Sequence, residues 1–184
     1  MYREIFLTLQ KHLDDGIAAL KLVDWDLQQY NQQQEDAVIT TPAAYIAFQN
    51  IEFATLNRYI QRGVMEITVS LVTQTAYGDA QDMTDTTYIN HLGIETAIYK
   101  ALQGKRFNIS DIPGVTLGPD DDDVVLIETI ERTGYEPHAT QDNLIVTRQS
   151  FRANVFDYTA DPAYEEVTAA LNLTATVHKT LNDE

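Results

Sequence analysis

Residues 65–72 read Met65-Glu66-Ile67-Thr68-Val69-Ser70-Leu71-Val72, and this stretch decides the fold. Met65, Ile67, Val69 and Leu71 alternate with Glu66, Thr68, Ser70 and Val72. Successive side chains of a β-strand point to opposite faces, so a period of two buries one apolar row and leaves a more polar row on the other side. Adjacent strands joined by short connections favour an antiparallel sheet with helices segregated to one face.

Upstream, Thr41-Pro42 opens the run Ala43-Ala44-Tyr45-Ile46-Ala47-Phe48, continued by Ile51, Phe53 and Ala54. A proline at the start suits the first residue of a strand or an edge position. Before it, Leu20 and Leu22, then Val23, Trp25 and Leu27, predict a short strand whose apolar face switches at Leu22-Val23, as at a bulge. Between these strands lies a polar excursion over residues 28–36 that holds five glutamines. At the N-terminus, Tyr2, Phe6, Leu9 and Leu13 recur at helical spacing, which predicts an amphipathic helix over residues 2–15 ending near Gly16.

Downstream, residues 77–84 form a polar loop, and Asp85 is placed to cap a helix that runs to about Gln103 and stops at Gly104. Its inward side is read as Ile89, Leu92, Ile98, Tyr99 and Leu102. Gly93 sits inside this helix at ~1 kcal/mol relative to alanine, which a close backbone contact would explain. A loop over 110–123 leads to Val124-Val125-Leu126-Ile127, a connection runs from Gly134 to His138, and Leu144-Ile145-Val146 and residues 151–156 complete two or three strands. In the last of these Phe151, Ala153 and Val155 alternate with Arg152, Asn154 and Phe156, so either row fits the core. Asp161-Pro162 begins a short helix, and residues 171–178 alternate as a strand. The expected fold is α+β, a mainly antiparallel β-sheet with helices packed on one face. Residues 1–160 make one domain, and 161–184 a C-terminal extension packed on it.

The chain has 184 residues, enough for a core that buries roughly 70% of the extended surface. Without cysteine there is no disulfide framework, thiolate metal site or thiol nucleophile, and an intracellular origin is expected. No basic segment leads into an apolar run at the N-terminus, and no stretch of about 18 apolar residues occurs, so neither a signal peptide nor a membrane span is expected. With 28 acidic and 12 basic side chains the formal charge is -16, which opposes tight binding to nucleic acid or anionic lipid.

Catalytic patterns are missing. Ser70, Ser110 and Ser150 lie in no nucleophile elbow, and His12, His91, His138 and His178 form no His-Glu-x-x-His pair. Gly104-Lys105 follows a helix instead of preceding one, so no phosphate loop is present. Asp120-Asp121-Asp122-Asp123 is acidic enough to attract a hard cation, but four adjacent aspartates cannot converge on one ion, and a solvated loop is the plainer reading. No catalytic residue, metal or cofactor is expected.

The linear pattern resembles the bacteriophage tail terminator and tail-completion families of minor tail proteins. The residues that carry it are the leading helix, Pro42-Ala43-Ala44-Tyr45-Ile46-Ala47-Phe48, and the alternating strand from Val64 to Ala76 ending in Tyr77-Gly78-Asp79. Two later pieces complete it, Ile94-Glu95-Thr96-Ala97-Ile98-Tyr99-Lys100-Ala101-Leu102 and Arg152-Ala153-Asn154-Val155-Phe156. The likeness spans about residues 1–160 and departs in the long glutamine-rich segment and the stretch after Asp161. It implies a homo-oligomeric ring, of which a hexamer is one form, that caps the tail tube and joins tail to head through head-completion proteins. DNA would pass through its channel without tight binding, repelled by lumenal carboxylates. The subunit would be made in the bacterial host cytoplasm and end in the virion tail, with no membrane partner. Its candidate assembly loops hold Asp79, Asp82 and Asp85, and Asp120, Asp121, Asp122 and Asp123. Other readings are a head-tail connector or other phage structural subunit, a protein-binding module unrelated to phage, and a metal-dependent enzyme using scattered carboxylates.

Overall fold

The computed structural model describes residues 1–31, 40–74, 86–115, 124–141 and 144–160. In chain order these form α1 (Tyr2–Gly16), β1 (Leu22–Trp25), β2 (Ala43–Thr55), β3 (Gln61–Gln74), α2 (Thr86–Leu102), β4 (Phe107–Asn108), β5 (Val125–Ile127), β6 (Glu131–Gln141) and β7 (Leu144–Asp157). The fold is α+β, with both helices against one face of a mainly antiparallel sheet. The helix and strand expected after Asp161 lie outside the described residues.

The sheet runs β1-β2-β3-β7-β5-β4, and β6 shares the outer side of β7 with β5. The β1 pairing to β2 is parallel, with Leu22 facing Ala43 and Trp25 facing Ile46. Parallel neighbours cannot be joined by a tight turn, and residues 26–42 supply the longer return that they need. The pairs β2-β3, β3-β7 and β6-β7 are antiparallel.

The connection expected around Gly134 is instead strand β6. Gly134 and Pro137 read as turn formers, but among the described residues β6 pairs with β7 alone, and an edge strand tolerates both residue types. Gly134 sits close to β7, since a Cβ there would lie 3.3 Å from the Ser150 Cβ, a tight contact. Along β6 the chain gains one residue on β7 at two places. Arg132 to Gly134 spans Phe151 to Ser150, and Glu136 to Ala139 spans Arg148 to Val146. Each extra residue is a bulge that bends and twists the strand.

The period-two reading of β3 holds. Met65, Ile67, Val69 and Leu71 are buried on the helix-covered face, joined by Ala44 and Ile46 of β2 and by Phe151, Ala153 and Val155 of β7. Their burial also settles which row of β7 faces inward. From α1 come Ile5, Leu9 and Leu13. Phe6, on the flank, packs against Trp25 at 5.3 Å between ring centres, and Trp25 meets Phe48 edge-on at 5.2 Å. Burying each large aliphatic side chain contributes roughly 1.5–3 kcal/mol.

The orientation of α2 differs from the sequence expectation. His91, Ile94, Ile98 and Leu102 face the sheet, while Ile89 and Leu92 point to solvent. Apolar residues occur all round this helix, so hydrophobicity alone does not choose a face. Hydrogen bonding does: fully buried His91 joins Thr73 Oγ1 of β3 through Nδ1 at 2.8 Å and Thr147 Oγ1 of β7 through Nε2 at 2.6 Å. The helix ends as expected at Gly104, whose φ of 74° is left-handed backbone.

On the other face of the sheet a small second cluster forms from Tyr30, Ala43, Tyr45, Val72 and Leu144. Tyr30 sits in a single 3-10 turn at Gln29–Asn31 and lies against Tyr45 at 5.5 Å between ring centres.

Candidate functional site

Two exposed surfaces stand out, and the chain builds each from local chemistry. The first is the hairpin joining β2 to β3. Thr55 pairs with Gln61, and the turn closes as Leu56 N–H donates to the Ile60 carbonyl at 3.0 Å. Asn57 fixes the turn, its Oδ1 accepting from the backbone N–H groups of Tyr59 at 2.8 Å and Ile60 at 2.9 Å. Asparagine does this readily because its short amide reaches its own backbone two residues on.

This turn presents apolar side chains to water. Phe53 is 37% exposed, Leu56 55% and Tyr59 38%. Phe53 packs against Gly63 of the neighbouring strand, where a Cβ would come within 2.8 Å of its ring. The Arg58 guanidinium sits 5.3 Å from the centre of the Tyr59 ring. At the base of the hairpin Arg62 donates to Glu128 Oε2 at 2.8 Å and lies over the Phe156 ring at 5.9 Å.

The second surface is the outer side of α2. Ile89 is 59% exposed and Leu92 39%. Gly93 lies between them and the exposed Thr96, and no described atom comes within 4 Å of the position its Cβ would take. The close backbone contact expected for Gly93 is therefore not made by the described part of the chain. At the border of this surface the Tyr135 hydroxyl donates to Glu95 Oε2 at 3.3 Å. Burial, then the Glu95 carboxylate, pushes the Tyr135 phenol above its ordinary value.

The candidate loop residues Asp79, Asp82, Asp85, Asp120, Asp121, Asp122 and Asp123 lie outside the described residues, as does His178. His12 is half-buried, its Nε2 3.0 Å from the Ala101 carbonyl, and its ring meets Phe107 edge-on. Among the described residues no three histidine, aspartate or glutamate side chains come together to hold a metal ion.

A cleft of about 480 Å³ is lined by Val64, Arg106, Glu128, Thr129, Glu131, Arg152, Ala153 and Asn154. Its Glu128 is already held by Arg62, and the nearest charged neighbours of Arg152 along the sheet are Glu66 and Glu131, its register partners on either side. A more buried polar network crosses the opposite face. Ser70 Oγ donates to Asp26 Oδ2 at 2.9 Å, and Tyr30 O–H donates to the same oxygen at 3.2 Å. Arg148 joins that group to Glu136 of β6, at 3.3 Å. These contacts tie the 3-10 turn to the sheet.

Neither surface was identified from the sequence, although Asn57 between two apolar runs signals the turn. No protein-family model matches the chain, and no curated protein matches it. Among solved structures the chain is similar to one in the "Virion of native gene transfer agent (GTA) particle", at 12% identity and a TM-score of 0.42, over 81% of this chain and 95% of that one.

Proposed function

We propose that this protein is a structural subunit of a phage-type virion that acts by assembly, forming a ring that caps the tail tube and joins it to the head. The observation that supports this reading is the hairpin tip. A turn held rigid by Asn57 carries Phe53, Leu56 and Tyr59 into solvent, where apolar side chains destabilise a free subunit's surface but serve a contact.

The sheet edges also favour side-chain contacts over strand pairing. β1 is four residues long, and β6 carries bulges, Pro137 and the charged Glu131, Arg132 and Glu136. Short, bulged and charged edges are how sheets avoid pairing with other chains.

Electron microscopy of the purified protein mixed with tail tubes of the phage or prophage that encodes it tests this function. Rings bound at one end of each tube are expected. Binding along the tube wall, or none, would count against it. In the assembled ring the -16 charge on each copy keeps passing DNA from adhering, and binding of duplex DNA should stay undetectable at physiological salt.

A further inference from the structure

We infer that the cleft where β5 and β6 part on the outer side of β7 binds a carboxylate carried by an acidic segment of a partner protein, through Arg106 and Arg152. The inference goes beyond the ring reading and does not depend on how copies of this chain meet.

Backbone pairing makes the fork. β5 meets β7 where Ile127 faces Val155, and β6 meets it from Glu131 opposite Arg152 onward. Between them the Glu128 N–H donates to the Asn154 carbonyl at 2.8 Å, and the next pairing is made elsewhere. Ile130 accepts from the Gly104 N–H at 2.8 Å and donates to the Lys105 carbonyl at 2.9 Å. Those bonds fix the backbone that carries Arg106, while Arg152 stands on a strand paired on both sides. Both arginines line one cleft of about 480 Å³, together with Thr129, Glu131 and Asn154. That volume lies in the range of small-ligand pockets and is enough for a short piece of peptide.

Arginine is always charged and presents five N–H donors in a planar fork that matches the two oxygens of a carboxylate. Arg106 and Arg152 are both exposed, and among the described residues neither forms an ion pair or donates a side-chain hydrogen bond. Glu128, also in the cleft, is committed to Arg62 at 2.8 Å.

The surrounding charges select the ligand. Arg62, Arg106 and Arg152 are matched in number by Glu66, Glu128 and Glu131, so the region draws ligand by fitted contacts and not by a long-range field. A phosphate dianion, or a run of nucleic acid phosphates, would meet the Glu131 carboxylate inside the cleft. A peptide satisfies both signs. Its acidic side chain reaches the guanidiniums, its backbone N–H groups reach Glu131, and Thr129 and Asn154 offer both donors and acceptors beside them. Reading acidic motifs with clustered arginines is a recurring mode of peptide recognition.

The test follows the arginine side-chain N–H signals by NMR in isotope-labelled protein. A capped tripeptide of glycine, glutamate and glycine, its glutamine counterpart and inorganic phosphate are added in separate titrations. The glutamate peptide should shift the Arg106 and Arg152 signals and bind about tenfold or more tighter than the glutamine peptide. Arg106→Gln and Arg152→Gln should each weaken it by a similar factor, with backbone signals away from the cleft unchanged. Glu131→Gln should strengthen phosphate binding severalfold. Equal binding of the two peptides, or affinity indifferent to both arginine variants, would overturn the site. Phosphate binding tighter than the glutamate peptide in the native protein, or unaltered by Glu131→Gln, would overturn the assignment to a carboxylate.

Discussion

His91 shows how one polar side chain can set the placement of a helix. Its two ring nitrogens satisfy the hydroxyls of Thr73 and Thr147, both almost completely buried, so the three groups stand or fall together. Replacing His91 with alanine leaves two buried hydroxyls without that partner and opens a cavity, and should destabilise the fold by about 2–4 kcal/mol in urea unfolding. Converting both threonines to valine along with His91→Leu should recover much of that loss, because no polar group is then stranded. Tyrosine chemistry gives a second outcome at this scale. Burial pushes the Tyr45 phenol above its ordinary value of 10.0, reinforced by the carboxylates of Asp24 and Asp26. Tyr158 is raised by burial too, with its hydroxyl on the Val125 carbonyl at 3.0 Å. A phenol with a raised folded-state pKa stabilises the fold fully below the unfolded value, and that contribution disappears as pH climbs through the raised one. Melting temperature should therefore fall from about pH 10 upward, and a Tyr45→Phe protein should lose less over that range. The alternation of Met65 to Leu71 made the inward row of β3 legible from the sequence. The role of His91 was not, because a lone histidine on an apolar helix carries no signal of its partners.

At the level of elements, the hairpin is built by matching residues across two strands. Phe53 can lie against β3 only because position 63 lacks a Cβ. Alanine normally stabilises a strand relative to glycine, but Gly63→Ala should reverse that sign, displacing the Phe53 ring at about 1 kcal/mol, read as a lower urea midpoint with unchanged slope. Restoring space with Gly63→Ala plus Phe53→Ala should remove most of the penalty. The first helix and the strand at 61–74 were legible because their apolar periods are regular, and the strand at 43–55 because a proline opens a continuous apolar run; that run is buried on both faces, Ala44 and Ile46 on one and Ala43 and Tyr45 on the other. β6 was not, since Gly134 and Pro137 are turn formers wherever pairing does not override them, and an edge strand tolerates both. The face of α2 was misread for a related reason: Ile89 and Leu92 are as apolar as Ile94 and Ile98, so periodicity offered two solutions. Both errors fall where local preference and tertiary context disagree.

For the whole molecule, charge is the property with the longest reach. A formal charge of -16 makes like subunits repel, and at physiological salt this repulsion is screened beyond about 8 Å. Association measured by light scattering should therefore strengthen as salt rises from about 10 mM toward 150 mM. Weakening over the same range would mean that close ion pairs, not apolar contacts, hold the assembly. The α+β class was legible throughout, whereas the candidate loops rich in aspartate fall outside the described residues and left no geometry to compare. The centre of the sheet carries one more consequence. β3 belongs to the first half of the chain and β7 to its last part, yet they pair along their full lengths, Gln61 with Asp157 through Gln74 with Leu144. Such long-range pairing forms late and slowly, after the loop-closure entropy has been overcome. A backbone severed between Gln74 and Thr86 would leave two pieces, each baring one side of the same seam. Produced together they should knit into a native-like heterodimer, and produced singly each should remain a template in search of its missing half.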